Sequence, residues 1–531
     1  MPIDFQLGKL AIRFGYNRVL VDRIKTLPER TWNKTLRTWF IPVEHLPLVM
    51  ELFPDFRVTD AAEDAYMRLQ NTLAASRAED TTVIDPNLPG GVLRPYQAAA
   101  LRYMEAKKGR VLIADDMGLG KTVEALAYLH RHPELLPAVV VCPASVKEQW
   151  RREAKRWLSW SENSILVVYG RKPFILPKAN MYVLNYELLD MWTSYLKAAG
   201  VRSLIADEAH HIKSKEAKRS MLVHELAQGV SCVLALTGTP VLNRPEEIWN
   251  QARLVRPDVF PSEWRFNTRY AGMHKGRFGW EAGKPQNLED LETRLRANLM
   301  IRRTKEQVLD ELPDLERVTI PLGVDLVEYR KNAGPAIERL RKARASGSLG
   351  GMAIQDITQL RQEATAAKLG AARAWIRDFL ETGNRLTAFG HHHWALDDLA
   401  AEFKVQVLDG RVSSAARQIA IDRFQRGEGQ LLLCGTRAMG QGINLQSVSH
   451  CAFLELDWNM AIHDQAESRL HRMGQKNAVT SYYLVALGTI DEAMMGMLAV
   501  KQEAVERSMG ADEPSPRVLE LLVDLLMKEE G

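Results

Sequence analysis

The segment LIADDMGLGKTVEAL, residues 112–126, ends a glycine-bearing loop with a lysine and a hydroxyl group. A strand-like run precedes the loop and a helical pattern follows it, which is the context that a phosphate-binding loop requires. We expect the backbone amides from Gly118 to Thr122 to face a β-phosphate, Lys121 to neutralise phosphate charge and the Thr122 hydroxyl to bind Mg²⁺. Asp115 stands where the general pattern has its first glycine, so a plain flexible turn is the alternative interpretation.

A second chemical signal is LIADEAHHIK, residues 204–213, where two acids follow an apolar run and two histidines come next. A phosphate loop needs an acid that holds Mg²⁺ through water and a base that orients the attacking water, both at the end of a neighbouring strand. Asp207 and Glu208 fit these two roles. A zinc site is the competing interpretation, but His210 and His211 are sequence neighbours that point in different directions, with no third ligand placed nearby.

The elements that must position these residues are short runs rich in Val, Ile and Leu, separated by segments of helical period. This pattern is typical of parallel sheets covered by helices on both faces. A first set of runs lies at 110–115, 138–144, 165–170, 181–186, 203–209 and 232–239, and a second set at 385–390, 405–410, 430–436, 451–457 and 481–487. The sequence therefore predicts two α/β domains in tandem.

Composition shifts and linker-like segments divide the chain further. We predict a small α+β module at 1–57, a linker at 58–86, a first lobe at 87–305 with a helical insertion at about 244–300, a helical linker at 306–365, a second lobe at 366–490 and C-terminal helices at 491–531. The C-terminal helices should pack against the second lobe, with Met494, Met495 and Met497 as ordinary core residues.

The length and composition of the chain limit the classes of protein in which these motifs could occur. A chain of 531 residues is too long for one compact core. It has neither a run of about 18 apolar residues nor an N-terminal pattern typical of a signal peptide, so we expect a soluble intracellular protein without a membrane partner. Lys plus Arg outnumber Asp plus Glu by only 70 to 66, which does not by itself indicate a nucleic-acid partner. The 4 cysteines lie far apart, so we expect buried thiols.

The segments LRPYQ, DDMGLGKT, DEAH, LTGTP, GQGINL and QAESRLHRMGQ follow one another between residues 93 and 475. In that order they resemble the motif series of helicase superfamily 2 in its Swi/Snf form. The resemblance implies two RecA-like domains, DNA-dependent ATP hydrolysis, and ATP and Mg²⁺ as cofactors. An aspartate at the first-glycine position is usual in that family, so Asp115 no longer counts against ATP binding, whereas Asp116 replaces the glutamate usual there.

The resemblance also assigns roles residue by residue. Gln97 would read the adenine edge, and Arg469 and Arg472 would be arginine fingers that reach the γ-phosphate from the second lobe, as an i, i+3 pair on one helical face. The catalytic residues implied are Lys121, Asp207, Glu208, Arg469 and Arg472, with Thr122 and Asp207 as Mg²⁺ ligands. The ATP-binding residues implied are Arg94, Tyr96, Gln97, Met117, Gly118, Leu119, Gly120, Lys121, Thr122 and Gly442, and the coupling residues are Thr237, Thr239 and Gln465.

Nucleic-acid contacts are implied in the same way. Several segments resemble the family's strand-tracking parts, in which hydroxyls, backbone amides and basic side chains hold phosphates without reading bases. The DNA contacts expected there are Ser145, Lys147, Asn185, Thr436, Arg437 and Trp458. Ordinary strand-end and helix-cap chemistry is the alternative for each of them.

The N-terminal module carries its own signal. RVLVDRIKTL has a helical period, and RTWNKTLRTWFIPV contains two strand-like pieces around a polar turn. Trp32, Trp39 and Arg37 belong to a basic hairpin bearing aromatic residues, which suits nucleic-acid binding, although two tryptophans can equally anchor a small core. The segment resembles the HARP domain of annealing helicases, which implies action at branched or forked DNA.

The sequence thus predicts an ATP-dependent DNA translocase that moves on duplex or branched DNA and remodels or reanneals forks, with a possible protein partner at a fork or polymerase. Two alternatives stay open: a motor that displaces proteins such as RNA polymerase from DNA, and a nucleotide-gated DNA-binding scaffold with little turnover. The expected location is cytoplasmic, associated with the nucleoid in a bacterium or phage, or nuclear in a eukaryote.

Overall fold

The computed structural model describes residues 1–27, 29–77, 84–238, 245–276, 279–309, 311–346, 351–436, 444–503 and 522–524. Within these ranges the chain builds three sheets of five or more strands, one in an N-terminal module and one in each of two lobes. The expected site residues Thr239, Arg437 and Gly442 lie outside the described residues.

The N-terminal module is a five-stranded sheet in the order β3-β4-β2-β1-β5, packed against short helices. Its elements are β1 (Pro2–Gln6), β2 (Lys9–Ile12), α1 (Arg18–Thr26), β3 (Thr31–Asn33), β4 (Thr38–Ile41), α2 (Leu46–Leu52) and β5 (Arg57–Val58). The predicted helix and the predicted strand pair, now α1 and the β3–β4 hairpin, are confirmed. The strands β1 and β2 were not predicted from the sequence.

The segment expected as a linker is in large part the helix α3 (Asp60–Arg77). Ala62 of this helix belongs to the core of the N-terminal module, while Ala75 belongs to a core cluster of the first lobe. The Ser76 hydroxyl donates to the Met300 carbonyl at 2.9 Å. The helix therefore attaches the module to the first lobe.

The first lobe has a seven-stranded parallel sheet in the order β14-β6-β11-β10-β7-β9-β8. Its elements are α4 (Pro95–Ala106), β6 (Arg110–Ile113), α5 (Lys121–Arg131), β7 (Ala138–Cys142), α6 (Lys147–Leu158), β8 (Ile165–Val167), β9 (Met181–Asn185), α7 (Leu189–Ala198), β10 (Ser203–Ala206), α8 (Lys218–Gln228), β11 (Cys232–Leu236), α9 (Pro245–Val255), α10 (Glu263–Tyr270), the hairpin β12 (His274–Gly276) and β13 (Gly279–Glu281), α11 (Leu288–Asn298), β14 (Met300–Ile301) and α12 (Lys305–Val308). All six predicted strands of this lobe are present.

The second lobe has a six-stranded parallel sheet in the order β15-β20-β19-β16-β18-β17. Its elements are β15 (Leu315–Leu322), α13 (Leu326–Ala345), α14 (Gly351–Glu381), β16 (Leu386–Gly390), α15 (His393–Phe403), β17 (Val407–Leu408), α16 (Ser414–Gln425), β18 (Leu431–Gly435), β19 (His450–Phe453), α17 (Met460–Glu467), β20 (Val479–Ala486) and α18 (Ile490–Glu503). The two RecA-like domains expected from the sequence are thus confirmed.

The segment 306–365 is more than the helical linker expected from the sequence. Strand β15 pairs with β20 along its whole length, and residues of α13 and α14 such as Tyr329 and Leu360 belong to the core of the second lobe. Prediction missed β15 because it is an edge strand whose side chains are mostly partly exposed, so no continuous apolar run marks it.

Two composition-based expectations are also resolved. The four cysteines are free and buried, and Met494 and Met497 are fully buried in the second lobe, as expected. Among the described helices, none combines the length and the apolar character that crossing a membrane would require.

Candidate nucleotide site between the lobes

The phosphate loop lies where the sequence places it, between the end of β6 and the first residue of α5, Lys121. Gly118 and Gly120 both have left-handed backbone with φ of 90°. Gly118 also faces the second lobe, because a Cβ there would lie 3.1 Å from the Arg472 Cβ. Both positions favour glycine, since L side chains rarely adopt this conformation.

The Lys121 ammonium group points back into its own loop. It donates to the carbonyls of Asp115 and Asp116 at 2.8 and 3.2 Å. Burial lowers the pKa of Lys121, although Glu208 and Asp115 oppose that shift. A phosphate oxygen would replace the carbonyls as a charged acceptor, so the residues present fit a triphosphate.

The two acids of the second signal lie at the carboxyl end of β10, close to this lysine. Asp207 accepts hydrogen bonds from the Trp150 indole at 2.7 Å and from the Glu208 backbone amide at 2.9 Å. Burial and the neighbouring Glu208 raise the pKa of Asp207 to about 6. Glu208 has left-handed backbone, with φ of 50°, which turns the chain sharply after the strand.

The adjacent histidines form aromatic contacts. The rings of His210 and His211 stack with centroids 4.8 Å apart, and His211 lies 5.4 Å from the Tyr186 ring. Burial lowers the pKa of His211 to about 4. Within the described ranges, no group of three or more His, Cys, Asp and Glu side chains is placed to hold a metal ion.

The second lobe brings its two arginines to this site, but not from a helix. Helix α17 ends at Glu467, so the expected pair on one helical face is wrong. Two hydrogen bonds end the helix: the Ser468 hydroxyl donates to the Gln465 carbonyl at 2.8 Å, and the Arg469 carbonyl accepts from the Leu445 backbone amide at 2.8 Å. Arg469 and Arg472 therefore sit in successive turns.

The two arginines face different acids. Burial, reinforced by Arg472, lowers the pKa of Arg469 to about 10, and the acids that oppose this shift are Glu208 and Asp207. Burial also lowers the pKa of Arg472, whose opposing acid is Glu153 on α6. Of the two arginines, Arg469 is thus the one within electrostatic reach of the acid pair.

Several contacts hold the second lobe against the phosphate loop. The Lys305 ammonium donates to the His471 carbonyl at 2.6 Å, while its backbone amide donates to the Asp116 carboxylate at 3.2 Å. The Tyr96 hydroxyl donates to the Leu119 carbonyl at 2.8 Å and lies 3.0 Å from the Met473 sulfur. The lobes are therefore closed on the loop.

Arg303, which the sequence analysis did not predict as a site residue, fixes the phosphate loop through a buried ion pair. Its side chain is fully buried together with Asp115 and Glu124. The Arg303 guanidinium donates to both Asp115 oxygens, at 2.9 and 3.0 Å from Nε, and to Glu124 at 2.7 Å. Burial raises the pKa of Glu124 to about 8 although Arg303 lies beside it. The aspartate at the first-glycine position is therefore an ion-pair partner.

We expect Arg303→Met to lower the free energy of unfolding by about 3–5 kcal/mol, because it leaves Asp115 and Glu124 as buried acids without their cation. Chemical denaturation of the purified protein measures this change. Arg302→Met is the matched control, since the side chain of Arg302 is 23% exposed. A loss below about 1 kcal/mol for Arg303→Met, the range of surface ion pairs, would contradict this role.

The expected adenine reader is already engaged by protein groups. The Gln97 amide donates to the Leu119 carbonyl at 3.0 Å, and its oxygen accepts from the Arg94 backbone amide at 3.0 Å. Arg94 itself is exposed. Of the coupling residues, Thr237 is buried, and a Cβ on its neighbour Gly238 would lie 3.4 Å from the Lys121 ammonium. Adenine recognition stays a prediction.

Two family models match the two lobes. The model described as "SNF2-related domain" matches residues 96–339, and the model described as "Helicase conserved C-terminal domain" matches residues 374–474. The chain therefore contains an SNF2-related domain followed by a helicase conserved C-terminal domain. The match covers the phosphate loop, the acid pair and both arginines.

Curated relatives of this SNF2-related ATPase cover most of the chain. It is 30% identical over 515 residues to the Xenopus laevis protein named "SWI/SNF-related matrix-associated actin-dependent regulator of chromatin subfamily A-like protein 1", covering 93% of this chain and 53% of that protein. It is 31% identical over 430 residues to the Mus musculus "DNA annealing helicase and endonuclease ZRANB3", covering 77% and 40%. The chain spans about half the length of the curated relatives it matches.

A solved structure described as "Sulfolobus solfataricus SWI2/SNF2 ATPase core in complex with dsDNA" matches 80% of this chain and 94% of that chain. The sequence identity is 24% and the TM-score is 0.40.

The expected DNA contacts of this SNF2-related ATPase are mostly turned toward the protein. Lys147 is only 5% exposed, because its ammonium donates to the Val168 carbonyl at 3.0 Å and lies 4.1 Å from the centre of the Tyr169 ring. The Lys147 ammonium is thus engaged by protein groups, and a DNA contact at Lys147 stays a prediction. Asn185 donates to Glu187 at 2.6 Å, and Ser145 is partly exposed.

The two expected contacts described in the second lobe are buried as well. The Thr436 hydroxyl donates to the Gly390 carbonyl at 3.0 Å. Trp458 is 7% exposed, with the Arg361 guanidinium 4.8 Å from its ring centre. A DNA contact at these positions stays a prediction.

The aromatic pair of the N-terminal module divides between two roles. Trp39 packs against the module core. The Trp32 ring lies 5.0 Å from the Trp39 ring, measured between centroids, and Trp32 is 43% exposed. Arg37 is exposed in the turn of the same hairpin. Glu29 accepts from Arg269 at 2.9 Å and also pairs with Arg294, which fixes the module on α10 and α11 of the first lobe.

Proposed function

We propose that this SNF2-related ATPase is a DNA translocase that uses ATP to move on duplex or branched DNA and to remodel or reanneal forks. The observation that carries the proposal is the divided site: Lys121, Asp207 and Glu208 belong to one lobe and Arg469 to the other. Hydrolysis then requires closed lobes, and product release permits opening. A cycle of closing and opening between two DNA-binding lobes is a physical basis for stepwise movement.

The residues present also fit Mg²⁺. Thr122, at the start of α5, and the Asp207 carboxylate would hold the ion, which would neutralise charge on the phosphates. The chain's own contribution is to fix the Asp207 ligand, since Trp150 and the Glu208 amide orient its carboxylate. A scaffold with little turnover would not need Arg469 within electrostatic reach of the acid pair, so the arrangement favours a motor.

Fork remodelling is supported by the N-terminal module and by the names of relatives. The module resembles a HARP domain, and one matched relative is named a DNA annealing helicase. The hairpin presents Trp32 and Arg37 to solvent, and a stacking ring beside cations suits unpaired DNA. Because Glu29 fixes the module on the first lobe, this surface keeps a constant position relative to that lobe.

We expect Trp32→Ala combined with Arg37→Ala to remove the preference for forks. ATP hydrolysis would be measured with forked DNA and with linear duplex, together with the rate at which an unpaired fork re-pairs in the presence of ATP. The double variant should keep duplex-stimulated hydrolysis but lose the additional stimulation by forks. Trp264→Ala, which removes a tryptophan 49% exposed on α10, is the matched control. Unchanged fork preference in the double variant would contradict the proposed role of the module.

A further inference from the structure

An exposed loop after β8 combines cations with apolar side chains. The segment YGRKPFILPK, residues 169–178, contains three basic residues and no acid. Tyr169, Phe174 and Ile175 are 57%, 48% and 89% exposed. Lys172 and Lys178 are exposed as well. Exposed apolar side chains flanked by cations, here Phe174 and Ile175 between Lys172 and Lys178, are unusual on a protein surface. Such a surface suits a partner that offers both negative charge and apolar faces.

The loop is held in place rather than left to move freely. The Phe174 ring packs edge-on against Trp192 with centroids 5.0 Å apart, and the Trp192 indole donates to the Gly170 carbonyl at 3.1 Å. The Tyr182 hydroxyl donates to the Pro177 carbonyl at 3.0 Å. Arg171 pairs with Asp190 at 2.9 Å. These contacts fix the loop while Ile175 stays in solvent, so its exposure is a property of the fold.

The position of the loop relates it to the nucleotide site. The loop leaves the carboxyl end of β8, and carboxyl ends of parallel strands lie at one edge of a sheet. The same edge carries Asp207 after β10 and Asn185 at the end of β9. Tyr169, the first residue of the loop, covers the ammonium of Lys147. The loop therefore extends the edge on which the DNA contacts are expected.

We propose that this loop is a DNA contact at the junction between paired and unpaired strands, with Lys172 and Lys178 on backbone phosphates and Ile175 against an unpaired base. Phosphates supply the negative charge that the loop lacks, and base faces exposed at a junction supply the apolar surface. The inference rests on the proposed action on DNA and adds the part of the first lobe that meets the fork.

Two variants separate the phosphate contacts of the lysines from the base contact of Ile175. Lys172→Ala with Lys178→Ala should weaken binding to both forked and duplex DNA, and should reduce the slope of log K against log salt by about 1.8. Ile175→Ser should weaken fork binding about fivefold or more while changing duplex binding less than about twofold, because only a junction offers an open base face. Ile419→Ser, at a position 63% exposed on α16, is the matched control.

Fluorescence anisotropy with labelled forked and duplex DNA across a salt series measures all four proteins, and ATP hydrolysis without DNA should be unchanged in each. Wild-type affinity and salt slope in the lysine variant would overturn the inference and assign the surface to a protein partner. Equal loss on fork and duplex in Ile175→Ser would overturn the assignment to a junction and leave the loop as a general duplex contact. DNA stimulation of the wild type is measured first. If DNA does not stimulate ATP hydrolysis by the wild type, the proposed function and this inference both fail. If DNA does stimulate it but both variants bind DNA like the wild type, only the inference fails.

Discussion

Arg469→Ala is expected to lower kcat for ATP hydrolysis by about 10³-fold or more, the low end of what arginine fingers contribute. The arginine lies within electrostatic reach of Glu208 and Asp207, so we expect it to stabilise the negative charge that grows as the γ-phosphate is transferred. The loss should appear in kcat more than in KM, because the arginine acts mainly on the transition state. Steady-state hydrolysis with saturating duplex DNA measures both constants.

Arg472→Ala is the informative comparison for this prediction. Arg472 lies against Gly118 of the phosphate loop, but the acid that acts on it is Glu153 and not the acid pair. We therefore expect Arg472→Ala to affect ATP affinity and lobe closure, with a smaller loss of kcat than Arg469→Ala. The reverse order, with Arg472→Ala losing more kcat, would show that the arginines exchange roles when ATP is bound.

Glu208→Gln is expected to reduce kcat by about 10²–10⁴-fold, the usual contribution of a general base, and to leave ATP affinity nearly unchanged. The amide keeps the size of the side chain but cannot accept a proton from the attacking water. Asp207 should stay in place in the variant, since its hydrogen bonds come from Trp150 and from a backbone amide that the substitution retains. Single-turnover hydrolysis and binding of a fluorescent ATP analogue measure the two quantities.

Glu216→Gln, at an exposed position a few residues further along the chain, is the control for the loss of one negative charge. Its kcat should equal that of the wild type. If Glu208→Gln instead weakened ATP binding as strongly as it lowered kcat, Glu208 would be acting in nucleotide binding and the base would have to be sought elsewhere.

Much of this site was predictable from local sequence. The phosphate loop depends on a glycine-bearing turn between a strand and a helix, and the acid pair directly follows the apolar run LIA of a fully buried strand. Both signals lie within about fifteen residues and need no knowledge of distant contacts. Most strands of the two lobes were predictable for the same reason, because buried parallel strands are continuous apolar runs, whereas the partly exposed β15 was missed.

Features that depend on distant partners were not predictable in this way. The Arg303 side chain meets Asp115 across 188 residues of sequence, and an arginine in the polar segment RRTK looks like a surface residue. Two consecutive charged residues directly after β14 were the available signal, because that strand is buried and its end lies at the loop. Helix α17 looked longer than it is because Arg469 pairs its carbonyl with Leu445, which only the folded chain reveals.

The inward orientation of Lys147 shows a related limit. Its position after β7 marks the correct edge of the sheet, and the residue type suggested a phosphate contact. The side chain is instead satisfied by the Val168 carbonyl and the Tyr169 ring, which come from the next strand. Sequence therefore placed Lys147 at this edge of the sheet, while the groups that face solvent there, such as Lys172 and Ile175, became visible only in the structure.

The central claim, an ATPase driven by DNA, is tested most directly by steady-state ATP hydrolysis of the wild-type protein at fixed salt. The rate would be compared without nucleic acid and with single-stranded DNA, duplex DNA, forked DNA and duplex RNA. The account predicts strong stimulation by duplex and forked DNA and little by duplex RNA. A rate that is the same under all five conditions would contradict it.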